Sequence, residues 1–149
     1  MNEDKKEKYF KMVHKNIDEN GFHTTYVMEN IGFTPFGYST GIYKNFKIPE
    51  LFISGLPNGL TTELIENYTK KYKFGIIPIN QKIDDLIDRF PVYFIEVKNE
   101  SLTEYVLSSI KYYDNKEYKY LQLIFPGLNG HFPNEPGYDY DQKIFGSLI

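Results

Sequence analysis

Between Glu3 and Asn20 the apolar residues Tyr9, Phe10, Val13 and Ile17 recur at helical spacing among Lys, Glu and Asp. One stripe of this kind predicts an amphipathic helix, and Asn20-Gly21 supplies its C-terminal stop. The period then changes. Phe22 to Met28 is rich in Thr, Tyr and Val and predicts a strand. A turn containing Gly32 and Pro35 leads to a second strand, Phe36 to Tyr43, whose Gly37 and Gly41 mark a bulge or a close approach of backbone or ligand. After a loop ending at Pro49, Glu50 to Gly55 reads as a short apolar strand.

Helical spacing returns at Leu60, Leu64, Ile65, Tyr68 and Tyr72, with Asn58 or Thr61 as the cap and Phe74-Gly75 as the stop. Ile76 to Ile79 reads as a buried strand. Arg89 to Val97 is the clearest strand of the chain, with Pro91 confining its start to an edge or entry position. Ser101 to Glu104 has the form of a capping box and predicts a helix running to about Tyr113; Tyr118 to Phe125 is the last strand. Strands come in consecutive groups that helices interrupt. The pattern predicts a single α+β domain of about six strands and three helices, with a mainly antiparallel curved sheet or small split barrel. An N-terminal helix (1–20) precedes a core (21–125) and a Pro/Gly-rich tail (126–149). The tail carries His131, Phe132, Tyr138, Tyr140, Ile144, Phe145 and Leu148, too many large apolar groups for a flexible end, so it is expected to lie ordered on the core.

Composition narrows the chemistry. Leu, Ile, Val and Phe make up 44 of 149 residues, well above the roughly 20% at which disorder sets in. Ala, Cys and Trp are absent, and Arg89 is the single Arg against sixteen Lys. Zero Cys excludes disulfides, thiolate metal sites and a cysteine nucleophile. Replacement of Ala and Arg by Ile, Lys, Asn, Tyr and Phe is what AT-rich coding produces, so fourteen Tyr are no sign of an aromatic binding surface. A net charge of −3 gives no field to draw in nucleic acid. No apolar run approaches the ~20 residues of a membrane span, and the N-terminus has no signal-peptide core. A cytoplasmic protein with no nucleic-acid or membrane partner is expected.

No P-loop, GxGxxG, HExxH, GxSxG or EF-hand motif is present. His14 belongs to the first helix at an exposed or boundary position; His23 and His131 are expected to be structural, with service as acid, base or hydrogen-bond donor as the alternative for each imidazole. Asp139-Tyr140-Asp141 has a spacing too common to define a cation site, and Asp84, Asp85 and Asp88 read as an exposed turn. Arg89 offers the one planar fork for a carboxylate or phosphate; a structural salt bridge is the expected use and a ligand contact the alternative. Phe36 to Gly55 is the best small-molecule candidate: Tyr38, Ser39 and Thr40 stand between two glycines, Lys44 and Lys47 follow, and Glu50 opens the next strand. Hydroxyls, close backbone and ammonium groups are what an anionic or phosphorylated ligand requires.

Gly21-Phe22-His23, Phe36-Gly37-Tyr38-Ser39-Thr40-Gly41-Ile42, Pro49 to Leu56, Leu121 to Pro126 and Asn129-Gly130-His131-Phe132-Pro133, with Pro136-Gly137 and Gln142 beyond, resemble a bacterial domain family of unknown function, DUF4262, over residues 21 to 148. The resemblance implies that Tyr38, Thr40, Glu50, Gln122, His131 and Gln142 occupy family-defining positions. Phe22 and Asn134 stand where the family usually has Trp. A looser likeness to flavin-binding split barrels lies in the succession of strand, loop, proline-led strand and helix.

The expected function is binding of a small polar, anionic or nucleotide-like ligand in a cleft between the second and third strands and the tail. Its candidate residues are Tyr38, Ser39, Thr40, Glu50, Arg89, Gln122, His131 and Gln142. One alternative is an FMN-dependent oxidoreductase on a split barrel, with FMN near Ser39, Thr40, Lys44 and Lys47. Another is an immunity or anti-defence protein that occupies a protein partner. No catalytic residue or metal site is assigned, and the chain is expected as a monomer or homodimer.

Overall fold

The computed structural model describes residues 3–28 and 33–147, so Gly32 of the expected turn and Leu148 of the tail lie outside the described residues. Its elements are α1 (Glu3–Asn20), β1 (His23–Val27), β2 (Phe36–Thr40), α2 (Ile42–Phe46), β3 (Glu50–Ser54), α3 (Asn58–Tyr72), β4 (Tyr93–Val97), a 3-10 turn (Asn99–Leu102), α4 (Leu107–Tyr113) and β5 (Tyr120–Ile124). The five strands form one sheet in the order β1-β2-β3-β5-β4. Pairing is antiparallel except between β3 and β5, which run parallel with Leu51 beside Leu121 and Phe52 beside Gln122. The chain is thus a single α+β domain with a mixed, open sheet, and the barrel alternative is not realised.

Every residue of β2, β3 and β5 is buried, because helices cover both faces of the sheet. On one face Leu51, Ile53, Phe94, Leu121 and Leu123 pack against Leu64, Ile65 and Tyr68 of α3. On the other, Phe36, Tyr38, Phe52, Val97 and Tyr120 pack against Leu102 and Val106, ahead of α4. Adjacent residues divide between the two faces, as the two-residue period of a strand demands. Each such aliphatic or aromatic side chain contributes about 1.5–3 kcal/mol by leaving water. Gly37 fits this scheme sterically: a Cβ there would collide with Thr61 Cγ2, so glycine lets α3 lie close on the sheet. Val13 and Ile17 bury the stripe of α1, and Gly21, at φ +92, donates its N–H to the Ile17 carbonyl at 2.8 Å to end it.

Several expected elements take another form. Ile42-Tyr43 does not extend β2; it begins the five-residue α2, which no local signal announces. Ile76 to Ile79 is not a strand: Ile76 is 93% exposed, and the next residues reach β4 instead, through Asn80 N–H to the Phe94 carbonyl (2.9 Å) and an Ile83–Val92 bridge. Among the described residues the strands therefore number five, not six, and the α-helices four, not three. Ser101 and Glu104 do not cap a helix, since Ser101 lies in the 3-10 turn and α4 begins only at Leu107. Helix α3 starts at Asn58 after Pro57, with no side-chain cap from Asn58 or Thr61.

The tail crosses the sheet at the Ser54 end of β3. Tyr140 donates to the Gly55 carbonyl (3.0 Å), and Thr34 donates to Asp141 (2.8 Å). Phe132 is buried with Ile95 and Ile124, while Phe145 packs on Phe52 and Tyr105. Among the described residues no helix is long and apolar enough to cross a membrane.

Candidate functional site

Glu50 is fully buried at the start of β3 with no cation beside it. Its carboxylate accepts five hydrogen bonds: from Ser39 Oγ (2.6 Å), from the N–H groups of Gly41 (2.9 Å), Ile42 (3.2 Å) and Tyr43 (3.0 Å), and from the Tyr113 hydroxyl. Three of these donors are the first amides of α2, which a helix cannot satisfy internally. Burial pushes the Glu50 carboxyl above its ordinary range, and the bonds from Ser39, Tyr113 and the backbone pull against that rise. The result is a helix capped by a residue that follows it in the chain. Gly41, at φ +105, makes the sharp entry into α2.

The same carboxylate fixes α4 through Tyr113. Burial, together with the Glu50 charge, raises the Tyr113 hydroxyl far above its ordinary value, so it stays protonated as a donor. A chain of buried hydroxyls continues inward: Thr40 Oγ1 to Ser109 Oγ (2.7 Å), Ser109 Oγ to Tyr120 OH (2.7 Å), and Tyr120 OH to the Ser39 carbonyl (2.7 Å). No buried side-chain polar atom among the described residues lacks a partner.

Above this anchored layer lies a cleft of about 540 Å³, lined by Tyr43, Lys44 and Lys47 from α2 and the loop after it, by Tyr112 and Tyr113 at the end of α4, by Lys116 and Glu117 in the turn beyond it, and by His14 of α1. Lys44 Nζ stands 5.6 Å over the Tyr112 ring, and Lys47 Nζ donates to the Lys44 carbonyl at 2.8 Å. Tyr43 donates to Glu117 at 2.7 Å, and that bond raises the Tyr43 hydroxyl above its ordinary value. Neither Lys44, Lys47 nor Lys116 forms an ion pair with a described residue; the ion pairs are Lys71–Asp85 and Arg89–Glu63, both elsewhere. Three ammonium groups and one carboxylate around tyrosine rings make a basic, aromatic recess.

The residues expected at the site fall into separate places. Ser39, Thr40 and Glu50 come together, wholly buried, beneath the recess rather than in it. Tyr38 accepts the Ser108 N–H at 3.1 Å, an amide of the first turn of α4, and so serves as that helix's cap. Gln122 and Gln142 hold the tail: Gln122 donates to the Lys143 carbonyl (2.6 Å) and accepts from Phe145 N–H (2.9 Å), while Gln142 brackets Phe125 through N–H to Oε1 (3.2 Å) and Nε2 to carbonyl (2.9 Å). Arg89 is exposed and pairs with Glu63 at 3.2 Å. His131 is exposed on the tail, beside Gly137. Because β2 and β3 run antiparallel, the tail meets the Phe36 and Ser54 end of the sheet and Glu50 lies at the opposite end. Lys116, Tyr112 and Tyr113 escaped sequence reading, since the contacts that bring α4 to α2, among them Lys44 N–H to the Tyr113 hydroxyl (3.4 Å) and Lys44 over the Tyr112 ring, join residues almost 70 positions apart.

Among the described residues no group of three or more His, Asp or Glu side chains converges as a metal would require. Compared with known proteins, residues 16–139 match the family described as Domain of unknown function (DUF4262). No curated protein and no solved structure matches.

Proposed function

The chain belongs to the DUF4262 family, and we propose that it binds a small anionic ligand bearing a planar ring in the recess between α2 and α4. The observation that carries this reading is the set of three ammonium groups, Lys44, Lys47 and Lys116, gathered without ion-pair partners among the described residues in a recess lined by the half-buried rings of Tyr43 and Tyr112, with buried Tyr113 beneath them. Ammonium groups act as point charges for phosphate, and tyrosine faces accept a flat ring. Glu50 takes no part in contact with ligand. It sets the position of α2 and of the Tyr113 ring, so the recess is preorganised by a network that water does not reach.

Thermal unfolding with FMN, AMP and pyrophosphate, beside riboflavin and adenosine as uncharged controls, tests the reading. Phosphorylated ring compounds are expected to raise Tm in proportion to the logarithm of concentration, with their uncharged counterparts inert. The triple variant Lys44→Glu, Lys47→Glu, Lys116→Glu should keep the fold and lose the shift. A wild-type protein indifferent to every anion, or a variant that keeps the shift, would overturn it. Uptake of FMN as a yellow species that dithionite bleaches reversibly would carry the same site toward flavin chemistry.

A further inference from the structure

A second cleft, of about 610 Å³, lies between the C-terminal half of α1, the start of β1 and α3, and takes only Phe46 from α2. Its apolar wall is the edge-to-face pair Phe22 and Phe46, with centroids 6.4 Å apart. Gly21 makes that wall possible, because any Cβ there would collide with the Phe46 ring. Behind it stands His23, buried, with Nδ1 2.9 Å from Asn16 Nδ2 and Nε2 3.1 Å from the Tyr9 hydroxyl. Both ring nitrogens are engaged, so His23 is part of the wall and not a free base.

The polar lining carries both signs of charge. Glu66 and Lys70 stand at i and i+4 on α3 and Lys73 just past its end, all lining this cleft, and none is ion-paired with a described residue. They span about 10 Å along the helix at 1.5 Å per residue. Asn16 and Asn20 line the cleft from the last turns of α1, whose negative end has no basic residue in its final turn. An anion alone would meet Glu66 and that helix end; a cation alone would meet two ammonium groups. A molecule with an ammonium and a carboxylate flanking an apolar side chain satisfies both and lays its side chain on Phe22 and Phe46.

We propose that this cleft is a binding site for such a zwitterion, either a free α-amino acid with an aromatic or large aliphatic side chain or a short apolar peptide. The proposal is independent of the anion recess, with which the cleft shares no lining residue.

Titration of the full-length ¹⁵N-labelled protein, followed by two-dimensional amide spectra, tests it. The probes are L-phenylalanine and diphenylalanine, with phenylacetate (no ammonium), phenethylamine (no carboxylate) and glycine (no side chain) as controls. Saturable shifts are expected at Phe22, His23, Thr24 and Lys70 with the two zwitterionic aromatic probes, and binding by each control about tenfold weaker or worse. Tighter binding of diphenylalanine assigns the natural ligand to peptides, and tighter binding of phenylalanine to free amino acids. Glu66→Gln and Lys70→Glu alter exposed positions, so their spectra should otherwise match wild type while affinity falls about tenfold in each. Absence of saturable shifts with either zwitterion, or equal binding of the singly charged controls, would overturn the proposal and leave these charges a solvated helix face.

Discussion

Ser39 Oγ donates to Glu50 Oε1 at 2.6 Å while accepting the Leu51 N–H at 2.9 Å, so one hydroxyl joins β2, β3 and the buried carboxylate. An ionised carboxylate is acceptor-only, which suits a site where five donors converge. Glu50→Gln replaces one acceptor oxygen by an NH₂. If the amide nitrogen faces Ser39, that hydroxyl turns to accept, but the Ile42 N–H loses its partner. The Ser39 O–H proton then lacks its acceptor as well, and the expected outcome is a loss of about 1–3 kcal/mol for each buried donor left without a partner. Urea unfolding measures it, and an unshifted midpoint would show that the carboxylate does not hold α2. Glu50→Ala orphans all five donors and should cost more.

His23 supplies the pH dependence. Burial holds its imidazole below the ordinary value of 6.5 in the folded protein. Between the folded and unfolded pKa values the unfolded chain binds a proton that the folded chain refuses, so stability rises with pH across that window. The share of stability that belongs to His23 should therefore be lost as pH falls below about 6.5, until the folded pKa is passed and that loss is complete, whatever opposite trend the raised Glu50 carboxyl adds to both proteins. His23→Asn removes this share. The difference in Tm between the two proteins, followed from pH 8 down to pH 5, should shrink or change sign as acid is added; a constant difference would exclude a neutral buried His23.

What the chain revealed in advance followed how local each signal is. The stripe of Val13 and Ile17, the Gly21 stop and the short apolar runs of β3 and β5 all lie within a turn or a few residues of what they specify, and α1, β3 and β5 stand close to where the residue pattern put them. Elements fixed from a distance were legible only in part: α2 has no local signal, and the helix expected to run to about Tyr113 does end there but starts later than its apparent cap. Helix α2 is capped by Glu50, seven to nine residues beyond its first amides, and α4 by Tyr38, 70 residues away from Ser108. Ser101 and Glu104, a local match to a cap, lost to the packing of Leu102 and Val106. The polar residues of Phe36 to Gly55 read as one ligand site, but Ser39, Thr40 and Glu50 spend their hydrogen bonds inside the protein, and of that segment Tyr43, Lys44 and Lys47 line the recess.

Gln122 ties the tail to the parallel pair of the sheet. Gln122→Leu keeps similar bulk but removes the bonds to the Lys143 carbonyl and the Phe145 N–H. The expected loss is about 1–3 kcal/mol, with hydrogen exchange at Phe145 speeding up and the strand amides of β5 staying protected. The stacking of Phe145 on Phe52 and Tyr105 remains, so the tail should loosen without leaving the sheet. Unchanged exchange at Phe145 would assign the tail's hold to those rings alone.

Tyr38→Phe isolates the cap of α4. The ring keeps its stacking with Phe36, and only the oxygen that accepts the Ser108 N–H is lost. Val106, at the N-cap, contributes no side-chain bond, so nothing on the helix itself replaces it. Loss of a cap costs about 1 kcal/mol. The far end of α4 is held separately by Tyr113 on Glu50, and fraying should therefore be confined to the first turn. Hydrogen exchange should quicken at Ser108 while the amide of Asp114, bonded to the Ile110 carbonyl at 3.1 Å, keeps its protection. Since the recess is built from that far end, its response to anions should survive Tyr38→Phe and be impaired by Tyr113→Phe, which breaks the bond to Glu50 beneath it.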